Sequence, residues 1–334
     1  MEKLLTVSVA AYNMEKYLRR TLESLAVPEI LDALEVFVVD DGGRDASLAI
    51  AQEFERAHPG CFHAVHKENG GYGTTVNWSL AHATGKYFRP LDGDDWFARD
   101  GLIALIELLR ETDADAVVTP CTRVYFDGDR ETGERTLIAD SEEISRLSEM
   151  RDGRRLLMHR FTYRTDILRA AKLELPGRVF YTDNIYVCAP LLEARSVRYL
   201  DAPLYCHRIG RADQSMSAEA LARNLDHSTA VNRLLAGYCA EARRANCPNT
   251  ALMEDFAAYM NRGMLRQLLA APATRENLER LRRYDADMRA LSPEVYQSAA
   301  RSGKIGRLIA HLRRVNYAPW PLLRPLMHGR LGGR

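Results

Sequence analysis

The sequence predicts an α/β protein: a mostly parallel sheet flanked by helices, with a helical C-terminal extension. Short β-branched apolar runs alternate with longer amphipathic segments from Leu4 to Cys121, the rhythm of βαβ units. Polar and glycine turn residues close the apolar runs. Beyond residue 218 the strand signals stop, and helical periodicity runs almost to Asn316.

The elements follow in order. "LLTVSVAAY" (4–12) is a buried strand, and "EKYLRRTLESL" a helix with Tyr17, Leu18, Leu22 and Leu25 on one face. "LEVFVVD" (34–40) is the second strand, ending in the turn "DDGG"; "SLAIAQEFERAH" is a helix and "FHAVHK" the third strand. "ENGGYGTTVNWSLAHATG" opens as a glycine turn and continues as a helix stopped near Gly85. "KYFRPL" is the fourth strand, "DGLIALIELLRE" a helix and "DAVVTPC" the fifth strand. The alternation then weakens. "RVYFDGDRETGERTLIA" reads as a hairpin, "FTYRTDILRAA" as a short helix, and "YTDNIYVCAPLLEA" as a helix with Thr182 at its N-cap.

Composition is that of a soluble globular chain: 334 residues, 46% hydrophobic, 27% charged, net charge +1, which gives no bias toward nucleic acid. Six scattered cysteines lack CxxC or zinc-ligand spacing and suggest buried thiols in a reducing compartment. The N-terminus lacks the cationic start and long apolar core of a signal peptide. No apolar run reaches the ~18 residues a membrane span needs. A cytoplasmic location is expected.

In open parallel sheets, ligands bind outside the carboxyl ends of the strands. That rule selects Asn13, Asp40, Asp41, Asn69 and the cluster Asp92, Asp94, Asp95 in "RPLDGDDWF" as one crevice. A strand-end Asp-x-Asp offers hard oxygens to Mn2+ or Mg2+ when substrate phosphates complete the shell. A solvated acidic turn capping a helix is the competing reading. In "LYCHRIGRADQSMS", Arg208 or Arg211 suits a diphosphate, and His207 is either a further metal ligand or a structural histidine. In "KENGG", Asn69, Gly70 and Gly71 allow backbone to approach a nucleotide, or form a plain turn.

Four stretches in order, "VSVAAYNMEKYLRRTLESL", "EVFVVDDGGRDASLAIA", "HKENGGYGTTVNWSLAHATGKY" and "RPLDGDDWF", resemble the family-two glycosyltransferases of the GT-A fold. "YTDN" and "LYCHRIGRADQSMS" extend the likeness to about residue 217. The resemblance implies a GT-A domain over 1–217, with a nucleotide-sugar half to about 120 and an acceptor half from 121, followed by a helical region over 218–334. It implies a hexosyltransferase-like enzyme that moves a sugar from a nucleotide diphosphate donor, a UDP-sugar first among them, to a glycan or lipid-linked acceptor. Tyr12 would stack on the base, Asp40 meet the base or ribose, and Asp92 the ribose or metal-bound water. Asp94 would hold the metal, and Asp183 falls at the family's catalytic base. Thr182 stands where the family usually carries Glu, Gly93 where Ser is usual, and Ala11 where Pro is common.

An inverting transfer needs one carboxylate for the acceptor's proton and a cation for the departing diphosphate, which the two acidic sites supply. For Asp183 the competing reading is an aspartate that only complements a helix N-terminus. The absence of channel segments or a QxxRW-like motif predicts a non-processive enzyme. A catalytically inactive nucleotide-sugar-binding module is the alternative. An oxidoreductase is disfavoured, because "AAYNMEKY" rather than GxGxxG follows the first strand.

Residues 301–334 hold eight Lys or Arg and no acid, which leaves −7 for the rest once eight are taken from +1. Ile305, Leu308, Ile309, Leu312 and Val315 form one stripe, opposite Lys304, Arg307, His311 and Arg314. With Tyr317 and Trp320 this predicts either a peripheral anchor on an anionic membrane or a helix packed on the catalytic domain or on a second copy in a homodimer.

Overall fold

Eleven strands form two sheets in the computed structural model, which describes residues 3–138, 146–149, 153–210, 218–301 and 303–320. The strands are β1 (Leu5–Ala11), β2 (Leu34–Asp40), β3 (Phe62–His66), β4 (Tyr87–Asp92), β5 (Trp96–Phe97), β6 (Ala116–Val118), β7 (Cys121–Asp127), β8 (Arg130–Ile138), β9 (Phe161–Arg164), β10 (Val197–Tyr199) and β11 (Tyr205–Ile209). The main sheet runs β10-β6-β9-β4-β1-β2-β3 and the smaller one β5-β11-β7-β8. In the main sheet only β9 runs antiparallel to its neighbours.

Helices α1 (Glu15–Leu25), α2 (Ser47–Ala57), α3 (Tyr72–His82) and α4 (Arg99–Glu111) connect the early strands, and α5 (Thr165–Ala170) and α6 (Asp183–Cys188) the later ones. Continuous apolar runs such as Val36–Val39 are buried throughout, as strands covered on both faces require. Glu35 is tolerated in this core because Thr6 Oγ1 (2.6 Å), Thr84 N (2.8 Å) and Thr84 Oγ1 (2.7 Å) donate to its carboxylate.

Register is what positions the site. Ala11 pairs with Asp40, Asp40 with His66, and Ala10 with Asp92. The carboxyl ends of four adjacent strands therefore lie in one row.

Three local expectations are corrected. "FTYR" is strand rather than helix: its aromatic and β-branched residues fill the gap between β4 and β6, and the helix begins only at Thr165. "DAVVTPC" is not one strand; Pro120 interrupts it, and the chain leaves the main sheet after Val118 and enters the small one at Cys121. Thr182 precedes α6 with helical backbone and makes no capping hydrogen bond.

The chain divides into two compact units, Met1–Glu149 with Leu157–Ala212, and Met150–Leu156 with Asp213–Arg334. The second contains α7 (Ala218–Arg223), α8 (Leu225–Arg244), α9 (Thr250–Ala270), α10 (Arg275–Leu291), α11 (Pro293–Ala299) and α12 (Gly303–Arg314). Ile309 and Leu312 of the α12 stripe are buried, as are Tyr317 and Trp320, whose indole donates to Leu269 O at 2.7 Å. Protein thus covers these two aromatics, and an amphipathic pattern alone does not say which medium its apolar side meets. Lys304, Arg307, His311 and Arg314 are exposed; residues 321–334 lie outside the described residues.

One ion pair in this unit is buried on both sides. Arg313 Nη2 donates to Asp285 Oδ1 at 2.7 Å, its guanidinium lies 3.5 Å from the Tyr296 ring centroid, and both charged side chains are under a tenth exposed. Arg313→Met leaves a buried carboxylate unpaired and is expected to cost about 3–5 kcal/mol in chemical unfolding. Adding Asp285→Leu should restore most of that loss.

Candidate active site

The row of strand ends supplies the first part. After β1, Asn13 takes a left-handed backbone (φ 54°), and its side-chain oxygen accepts from Arg44 N at 2.9 Å. Tyr12 beside it is 49% exposed. Asp40 is buried; Oδ1 accepts from Gly43 N at 3.0 Å and Oδ2 lies 2.7 Å from His66 Nδ1. A Cβ on Gly43 would come within 2.6 Å of Asp40 Oδ1, so glycine is needed there.

Asp41 has a different task from the one expected. Its carboxylate accepts from Lys67 Nζ (2.6 Å), Gly70 N (2.9 Å) and Gly71 N (2.7 Å), while Asn69 Nδ2 donates to its carbonyl (2.9 Å). Both oxygens are therefore committed to shaping the glycine loop. Asp41→Asn turns one acceptor into a donor facing an N–H; a stability loss of about 1–3 kcal/mol is expected in thermal unfolding.

The acidic turn is the second part. Asp95 N donates to Asp92 O at 3.0 Å, closing the turn after β4, and Thr21 Oγ1 donates to the carbonyls of Gly93 (3.0 Å) and Asp95 (2.6 Å). Asp92 and Asp94 are half-buried, whereas Asp95 is enclosed, accepting from Tyr205 OH and Arg208 N, each at 2.7 Å. Burial, then the charges of Asp94 and Asp92, push the Asp95 carboxyl well above its ordinary range.

Arg208 is 5% exposed, with its guanidinium 3.8 Å from the Phe126 ring centroid and Nε donating to Asp94 O at 3.2 Å. It braces the acidic turn. Arg211 lies outside the described residues.

His207 stacks on His159 with centroids 4.4 Å apart. Burial, then Arg123, pushes His207 down to about 4, and burial with His207 pushes His159 well below its usual value, so both rings are neutral donors. Ligand atoms of Asp95, His159 and His207 all lie within 4.8 Å of one another. The structure thus groups His207 with Asp95 and His159 rather than with the expected Asp92 and Asp94. His159, in "LLMHRF", belongs to no recognisable motif; only the fold brings it here.

Asp183 opens α6 on the third part. Burial raises its carboxyl to about 6, against the lowering effect of backbone N–H groups of Asn184 and its own residue. The preceding loop is unusual: Arg178 (φ 56°) and Tyr181 (φ 68°) are left-handed non-glycines. Arg178 N donates to Gly70 O at 2.6 Å, tying this loop to the glycine loop that Asp41 holds. Tyr72 joins the parts: its ionisation is pushed up by burial and then by the charges of Asp92 and Asp183. Its hydroxyl donates to Met158 Sδ at 2.9 Å. The Asp183 carboxyl and the acidic turn therefore both act on one half-buried hydroxyl.

Residues 6–171 match the family described as Glycosyl transferase family 2. EpsH of Bacillus subtilis, named as a glycosyltransferase, is 30% identical over 212 residues, 60% of this chain and 59% of that protein. The chain therefore spans about three fifths of that relative. The minor teichoic acid biosynthesis protein GgaA of Bacillus subtilis is 27% identical over 136 residues, 40% of this chain and 30% of its own length. The crystal structure of S. aureus TarS 1–349 superposes with a TM-score of 0.71 at 20% identity, covering 97% of this chain and 91% of that one. TarS 1–349 has also been solved with UDP and with UDP-GlcNAc.

Proposed function

We propose that this chain, whose residues 6–171 match glycosyl transferase family 2, is a metal-dependent, inverting glycosyltransferase. It moves a sugar from a nucleotide diphosphate donor to a hydroxyl of a glycan or lipid-linked acceptor during synthesis of a cell-surface polysaccharide. The observation that supports the reading is that Asp183, raised to about 6, and Asp92 both act electrostatically on the half-buried Tyr72 hydroxyl. The UDP and UDP-GlcNAc complexes of TarS support a UDP-sugar as donor.

In this reading the base stacks on Tyr12, and Asp40 lies at the base or ribose. Asn69 and Gly70 bring backbone close to the nucleotide, and Asp92 meets the ribose. The acceptor hydroxyl gives its proton to Asp183 as its oxygen attacks the anomeric carbon from the face opposite the diphosphate. The bond to the diphosphate breaks, and the nucleoside diphosphate departs with the bonding electrons. Asp95 and the neutral His207 and His159, whose ligand atoms lie within 4.8 Å of one another, fit a divalent cation, and the half-buried carboxylates of Asp92 and Asp94 stand in the same turn. Mn2+ or Mg2+ there supplies positive charge for the leaving diphosphate.

Six free, buried cysteines support a reducing, cytoplasmic setting. Among the described residues no helix is long and apolar enough to cross a membrane. The exposed cations of α12 support electrostatic attachment to an anionic surface.

The test is a panel of nucleotide sugars offered to purified protein with Mn2+, read by release of nucleoside diphosphate. Turnover of a UDP-sugar is expected, and inertness toward every nucleotide sugar would defeat the reading.

A further inference from the structure

We propose that His66 reads the base of the donor: its Nε2 accepts a hydrogen bond from the imide N3–H of uracil, while Asp40 stands behind it and fixes the ring. This rests on the nucleotide-sugar reading above.

The geometry begins with register. Ala11, Asp40 and His66 are paired in turn across three parallel strand ends, each ~4.8 Å from the next. The exposed Tyr12 ring follows Ala11 directly. A base stacked on Tyr12 would have its edge along this row. Asp40 is poorly placed to read that edge. It is 2% exposed, one carboxylate oxygen accepts from Gly43 N, and the other faces His66 Nδ1 at 2.7 Å.

A carboxylate only accepts, so an imidazole with a single ring hydrogen holds it on Nδ1 and keeps its lone pair on Nε2. The His66 side chain is 55% exposed, and among the described residues Nε2 has no hydrogen-bond partner. The strand ends therefore present one oriented acceptor to the open crevice. Uracil offers one matching donor, N3–H, between two carbonyls. Guanine offers two adjacent donors on that edge, one of which would stay unpaired. Cytosine has an acceptor at N3.

The test compares UDP with 3-methyluridine 5′-diphosphate, which lacks the N3 hydrogen, by calorimetry on the full chain with Mn2+. Wild type is expected to prefer UDP by at least ~10-fold, because a site built around a hydrogen bond rejects an analogue that cannot make it. His66→Phe should bring the two affinities to within about threefold, and His66→Gln, whose amide oxygen accepts, should recover part of the preference. If His66→Phe weakens UDP yet keeps the preference, His66 merely positions Asp40 and the inference falls. Equal binding of both nucleotides by wild type overturns it as well. Failure of wild type to bind UDP at all would instead remove the donor reading, and this inference with it.

Discussion

Replacing Asp183 by Asn is expected to lower turnover at least ~10²-fold, the usual scale for a lost general base, with UDP binding nearly unchanged. Asn keeps the shape and the position at the start of α6 but cannot take a proton. The pH dependence gives a second signature. Burial holds the carboxyl at about 6, and only its ionised form is a base. Activity of the wild type should therefore rise with pH and level off above about 6, falling towards tenfold per unit below it. The Asn variant should lose that limb. If calorimetry shows UDP binding abolished while turnover per bound donor survives, Asp183 belongs to the nucleotide site.

Asp94→Ala is expected to remove transfer almost entirely while leaving the fold intact. The turn is held by other groups: the Asp95 carboxylate with Tyr205 and Arg208, and the Gly93 and Asp95 carbonyls with Thr21. Arg208 reaches residue 94 through its backbone oxygen, which alanine keeps. What disappears is a half-buried carboxylate at the proposed cation. Metal stabilisation of a leaving group is worth several kcal/mol, so a loss of at least ~10²-fold follows. Circular dichroism should match the wild type. Full activity of the variant in excess chelator would remove Asp94 from any metal site. Asp95→Ala makes a useful contrast, because it opens the buried contacts to Tyr205 and Arg208 and should damage stability as well.

The parts of the fold that were legible in the sequence are those governed by local rules. Alternating apolar runs and turn residues located β1 to β4 and their helices, because a strand covered on both faces must be apolar throughout. The acidic turn and Asp183 stood out through a family resemblance spread over several motifs. What escaped depends on tertiary partners. "FTYR" becomes a strand only because β4 and β6 leave an edge for it. Asp41 looks like a ligand in a list of strand-end acids, but its oxygens are taken by the glycine loop from 26 to 30 residues away. His159 reaches His207 across 48 positions of sequence, a distance no motif spans. His66 sits in an ordinary strand pattern, and only the register beside Asp40 gives it significance. The tail illustrates the same point, since α12 has the pattern of a membrane-surface helix yet packs Ile309 and Leu312 inside the protein.

The most direct measurement is the anomeric configuration of the first-formed product, read by proton NMR, from a UDP-sugar α-linked to its diphosphate. Direct displacement by an acceptor hydroxyl that gives its proton to Asp183 inverts the anomeric carbon, so a β-linked product is expected. An α-linked product would require a retaining mechanism and would contradict the single-base displacement assigned to this site.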